Sequence, residues 1–217
     1  MGWTSKIMAL GAAALTLLAS CKVDSDDVEY WKRSVKGPDR LAAVIGSDRY
    51  ASELRTEAAL AVVEMNRSDV DALSMLRKSL DDLRAEDPAS SQAIVSGMVP
   101  RLEALLSEGN TPDQNGPDPV QVRAKDAAYM VIPYAPEQQR DELIRSVVQW
   151  YSTDFEGRSL SGDYSAEQVT RALGAEAAGQ LVEAQPFSIA AGVECGYDDG
   201  MQKVGKGLHR RQVLERV

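Results

Sequence analysis

Glu53-Leu54-Arg55-Thr56-Glu57-Ala58-Ala59-Leu60-Ala61-Val62-Val63-Glu64-Met65 is the stretch that decides the fold. Leu54, Ala58, Ala61, Val62 and Met65 recur at steps of one, three or four and form one apolar stripe of a helix. The alanines in that stripe are good helix formers and let a second helix approach closely. The spacing therefore predicts a helix packed against other helices. It gives no sign of the period-two alternation of a half-buried strand.

Working outward, the same grammar fills the chain. Val28, Trp31 and Val35 share a helical face, with Asp26 or Asp27 as the expected N-cap. Gly37-Pro38 ends that helix and opens the next, which carries Leu41, Val44 and Ile45. After Ser68-Asp69, the expected cap, Val70, Leu73, Leu76, Leu80 and Leu83 make a third stripe. Ile94, Val95, Met98, Val99, Leu102, Leu105 and Leu106 make a fourth, with Pro100 inside it, which predicts a kink or split near residue 99. The Pro- and Gly-rich run from Gly109 to Pro119 reads as an exposed loop. Pro133-Tyr134-Ala135-Pro136 breaks the chain before a helix with Leu143, Ile144, Val147, Val148 and Tyr151. Trp150 and Phe155 near its end are expected to fill a gap between helices. Ser165 with Gln168 has the form of a capping box before Val169, Leu173, Ala177 and Leu181.

Arg-x-x-Ala-Ala at Arg55, Ala58 and Ala59 returns as Val122-Arg123-Ala124-Lys125-Asp126-Ala127-Ala128, 68 residues later. Two units of about 34 residues fit that separation, near the low end of helical repeat periods. Aligning the arginines puts Asp126 where Ala58 stands, so the second copy is imperfect. This pattern resembles a HEAT repeat, an antiparallel helix pair with Arg and Ala-Ala in one helix. The resemblance covers residues 38–185. It implies an all-α chain of antiparallel helical hairpins stacked as a short HEAT-like α-solenoid, a scaffold that presents an extended surface to a protein partner and carries no catalytic residues. A non-repetitive helical bundle is the alternative.

The N-terminus supplies an address. Residues 1–20 hold one charge, Lys6, then an apolar run from Ile7 to Ala19, the expected signal helix. Leu18-Ala19-Ser20-Cys21 resembles the lipobox of bacterial lipoproteins, which implies cleavage before Cys21 and lipidation of its thiol. Ala19-Ser20 also satisfies an ordinary secretory cleavage site, and the run is short of the about 20 apolar residues of a membrane span. Two or more acyl chains hold a protein stably where one does not. Lys22, rather than Asp, follows Cys21, which favours the outer membrane, facing the periplasm. As a whole the chain resembles HEAT-repeat lipoproteins of Gram-negative bacteria. The expected organisation is a signal peptide at 1–20, lipidated Cys21 with an extended acidic tether at 21–27, a helical repeat domain at 28–186 and an irregular tail at 187–217.

Charge and chemistry narrow the function. Lys6 is the only charge removed with residues 1–20, so the net charge moves from -9 to -10. An acidic surface argues against nucleic acid and against electrostatic attraction to anionic lipid. Membrane lipid is therefore engaged through Cys21. Lipidation of Cys21 leaves Cys195 without a partner, and His209 is the only histidine. A disulfide framework, a His-based metal cluster and a Ser-His-Asp triad are not expected. Asp24-Ser25-Asp26-Asp27 lacks the spacing of a calcium loop, and Gly205-Lys206-Gly207 lacks the frame of a phosphate loop. No cofactor, metal or enzyme activity is expected. A small ligand or envelope glycan held between the helices, in a pocket around Trp150, is the alternative to a protein partner.

Overall fold

The computed structural model describes residues 22–65, 67, 69–108, 116–174 and 177. Among them every regular element is helical. The elements are α1 (Ser25–Trp31), α2 (Gly37–Gly46), α3 (Ser52–Glu64), α4 (Ala72–Glu86), α5 (Pro88–Glu108), α6 (Pro119–Val131), a 3-10 turn (Ile132–Tyr134), α7 (Glu137–Thr153), α8 (Phe155–Arg158) and α9 (Ala166–Leu173).

The first element starts earlier than expected. Asp24, not Asp26 or Asp27, caps α1 by accepting from the N–H groups of Asp26 and Asp27 at 3.1 Å. The Asp27 carboxylate accepts in return from the Asp24 N–H, completing a capping box. Asp26 and Asp27 then sit in the first turn, where the helix dipole favours negative charge. Among the described residues of the expected tether, only 22–24 thus lie outside a helix. The Ser25 hydroxyl also donates to Glu57 of α3 at 2.6 Å. At the other end α1 stops at Trp31, and Val35, expected on its buried face, is 84% exposed in the turn before α2.

Consecutive helices pair as α2 with α3, α4 with α5 and α6 with α7. The pairs also touch side by side, α2 against α4 and α4 against α6, and α3 against α5 and α5 against α7. In addition α3 touches α6, so the first and third pairs meet directly. One apolar cluster runs through all three pairs, from Val28 to Ala177. Within it α3 is buried on more than the expected stripe: Ala59, Val63, Arg55 and Thr56 are covered along with Ala58, Ala61 and Val62. The reason is position, since α1, α2, α4, α5 and α6 all pack on this one helix.

The leucine stripe of α4 and the long stripe of α5 are buried as expected. The cap of α4 is Asp71, accepting from the Ser74 N–H at 3.0 Å, rather than Ser68-Asp69. Pro100 does not split α5, which runs unbroken from Pro88 to Glu108. A proline removes the donor for the carbonyl four residues back. That carbonyl is Ser96's, and the Gln139 side chain of α7 donates to it at 3.4 Å. A tertiary contact thus replaces the missing helical bond. The capping box of Ser165 and Gln168 opens α9 as expected, but α9 ends at Leu173, where Gly174 adopts φ +62°.

Candidate functional site

Arg55 and Arg123 occupy matching places in the two sequence copies, and they do matching work. Arg55 Nε donates to the Ile45 carbonyl at 2.9 Å, and Arg123 Nε donates to the Val63 carbonyl at 3.2 Å. Ile45 and Val63 are each the penultimate residue of a helix, α2 and α3. Carbonyls in a last turn have no intrahelical partner, so each arginine closes an open helix end. The two contacts differ in reach. Arg55 caps the helix just before its own, whereas Arg123 in α6 caps α3, three helices back. Each guanidinium has one buried nitrogen, Nη2, without a hydrogen-bond partner. Burial lowers the Arg123 pKa, opposed by Asp118.

Asp126, which spoils the second sequence copy, forms a buried ion pair with its neighbour Lys125. Lys125 is 0% and Asp126 2% exposed, although both are charged and both lie on α6. Their side chains bond directly to each other. The Lys125 ammonium also donates to the carbonyls of Ser161 at 2.8 Å and Tyr164 at 2.6 Å. Asp126 accepts from the backbone N–H groups of Asp163 at 2.9 Å and Tyr164 at 3.2 Å. The turn between α8 and α9 is therefore read at four backbone groups by two side chains.

Gly162 makes that closeness possible. It adopts φ +80°, and a Cβ there would lie 2.2 Å from Asp126 Oδ2. Aromatic rings wall the pair: Lys125 Nζ stands 5.1 Å from the Tyr151 ring centre and 5.6 Å from that of Trp150. The Tyr151 hydroxyl donates to the Tyr164 carbonyl. Burial pulls the Lys125 pKa down against the attraction of Asp126. Burial likewise pushes Asp126 up, opposed by Lys125 and the two N–H donors. Burial is also the main cause of the raised Tyr151 pKa.

This pinned turn forms one wall of an open cleft of about 950 Å³. The start of α4 (Asp71, Ser74), the segment before it (Arg67, Asp69) and one side of α6 (Val122, Arg123) contribute other walls. Two large apolar side chains that precede the turn in sequence stand in water, Leu160 at 86% and Phe155 at 48% exposure. Phe155 thus does not fill the gap expected of it. Trp150 does lie in the core, fully buried, with Trp31 and Tyr151 also covered. The Trp150 ring is covered by Lys125, Arg158 and Tyr151.

A second, smaller cleft of about 480 Å³ opens where the described chain begins, beside Lys22, Val23, Arg49 and Tyr50. Leu18, Ala19, Ser20 and Cys21 lie outside the described residues, as do Cys195, His209 and the tail 187–217. Among the described residues no group of three or more His, Cys, Asp or Glu is placed to hold a metal ion. None of the described helices is long and apolar enough to cross a membrane.

Sequence reasoning passed over the Lys125–Asp126 pair because it read Asp126 as a defect in a repeat. The available signal was two adjacent charges inside an otherwise apolar helix face, which must be paired if buried. The chain matches no family model, no curated protein and no solved structure.

Proposed function

We propose that this chain is a lipid-anchored scaffold of the bacterial envelope that binds a protein partner through the pinned turn and its cleft. The anchor rests on Leu18-Ala19-Ser20-Cys21 and its resemblance to a lipobox. A short HEAT-like α-solenoid is the proposed architecture. It is supported by the side-by-side helix pairs and by the shared role of Arg55 and Arg123 at helix ends.

The observation that carries partner binding is Leu160 and Phe155, both exposed and both just N-terminal to a segment, residues 161–164, whose backbone is fixed by buried charges. Apolar side chains held rigidly in water favour a partner that covers them, and they lose little entropy on binding. The outer membrane, facing the periplasm, is the proposed location. No catalytic step is assigned to the chain.

Cross-linking in intact envelopes, affinity recovery and mass spectrometry test this reading. The expected result is a protein recovered with the parent chain and lost with Leu160→Asp, while the melting temperature stays unchanged. Recovery no greater than from an anchor-only control refutes the scaffold.

A second reading, a small ligand or envelope glycan in the same cleft, is favoured by Arg123, which lines the cleft and has an unpartnered nitrogen. Calorimetric titration with envelope glycan fragments separates the two.

A further inference from the structure

The cleft beside the anchor has a chemistry of its own. Only Lys22, Val23 and Asp24 separate Cys21 from the start of α1 at Ser25. Three extended residues reach about 10 Å at most. The Val23 side chain packs against the core, which shortens that reach. The polar headgroup layer of one leaflet is itself roughly 5–8 Å deep, from the difference between total and hydrocarbon thickness. A lipid on Cys21 therefore leaves no slack for the domain to stand clear of the bilayer, and the surface around residue 22 must lie among headgroups.

That surface offers matching groups. Lys22 and Arg49 both line the cleft, both are exposed, and neither takes part in an ion pair among the described residues. Two of the three neighbouring carboxylates are already engaged: Asp24 caps α1 and Glu57 accepts from Ser25. Glu53 remains as a third, exposed in the same cleft. Val23, Tyr50 and Leu54 are half-buried and give it an apolar floor. Tyrosine beside cations is the composition favoured at a membrane–water boundary.

We infer that this cleft seats the headgroup of a neighbouring zwitterionic phospholipid, with Lys22 and Arg49 on its phosphate and Glu53 facing its ammonium. The domain then lies flush on the bilayer through its α1 and α2–α3 end, rather than swinging on a tether. The mixed charges reconcile this contact with the acidic domain, because a zwitterionic headgroup needs no net positive surface. The inference rests on the proposed lipidation of Cys21.

The test uses the full-length lipidated protein in vesicles of phosphatidylethanolamine and phosphatidylcholine. A photoreactive p-benzoyl-phenylalanine replaces exposed Ala51 at the cleft or, as a control, exposed Leu160. Lipid adducts are counted by mass spectrometry, which also reads the modification of Cys21. Adducts are expected at 51 well above those at 160, and Arg49→Glu should lower the yield at 51 severalfold, because a carboxylate there repels the headgroup phosphate. Lipidated Cys21 with no excess of adduct at 51 overturns the docking and leaves the anchor standing. A yield indifferent to Arg49→Glu overturns the phosphate contact. Unmodified Cys21 removes the anchor, and the docking with it.

Discussion

Replacing Lys125 by Met keeps most of the side-chain volume and removes only the ammonium. Asp126 is then left 2% exposed with two backbone N–H donors and no counter-charge. The carbonyls of Ser161 and Tyr164 lose a donor at the same time. Breaking a buried pair from one side costs about 3–5 kcal/mol, because the partner charge stays desolvated. For a domain of this size each kcal/mol moves the melting temperature by about 2–4 °C, so the expected fall is roughly 6–20 °C at pH 7.5.

The pH dependence separates charge from packing. Asp126 already has a raised folded pKa, owing to burial. A carboxyl raised in the fold contributes stability that is present below its unfolded pKa of about 3.9 and lost as pH rises through the folded value. Removing Lys125 raises that folded value further. The deficit of Lys125→Met must therefore be largest at neutral pH. It should shrink toward pH 4 by about 1.4 kcal/mol for each added pKa unit. Urea unfolding followed by circular dichroism at pH 7.5 and 4.5 measures both quantities. A deficit below about 1 kcal/mol at pH 7.5, or one equal at the two pH values, would refute an energetic role for the charge pair.

Three further outcomes follow from the same structure. Gly162→Ala should cost at least about 1–3 kcal/mol, because φ +80° strains an L-residue and the new Cβ meets Asp126 Oδ2; denaturant unfolding measures it. Gln139→Ala should cost about 1 kcal/mol in the parent chain but almost nothing beside Pro100→Ala, where Ser96 regains its helical donor, and a double-mutant cycle reads the difference. Tyr134, half-buried, whose pKa is pushed up to about 12 by burial and by its bond to Asp81, should titrate above the ordinary tyrosine value. Asp81→Asn should bring that spectrophotometric transition down.

What could be read in the sequence was whatever a single helix decides by itself. The leucines of α4, the stripe of α5 and the Ser165–Gln168 box follow from local spacing, and the structure keeps them. What was lost involves a choice among neighbours or a contact across the fold. Asp24, Asp26 and Asp27 compete for one cap, and Asp24 takes it, with Ser25 at the helix start bonded across the fold to Glu57. Pro100 breaks helices in general, yet here Gln139 arrives from α7 to serve the orphaned carbonyl. Val35 fits a face that its helix never extends far enough to use. Lys125 and Asp126 disrupt a repeat pattern because their partners lie at Ser161, Asp163 and Tyr164, across the fold.

That last case bears on why the pair exists. Burial moves both pKa values against the charged forms, so the pair is not a cheap source of stability. An apolar pair at the same positions would avoid the desolvation, but it would leave the Ser161 carbonyl and two N–H groups of the turn without these partners, with only Tyr151 still serving the Tyr164 carbonyl. The hypothesis that follows is one of specificity: Lys125 and Asp126 hold residues 161–164 in a single shape, and with them the setting of Leu160. The double variant Lys125→Met with Asp126→Leu isolates this role, since it removes both buried charges together. Its stability should recover part of what Lys125→Met loses, while amide exchange at Asp163 and Tyr164 should speed up. Full protection of those two amides in the double variant would show that the turn holds its shape without the charges, and would sink the hypothesis.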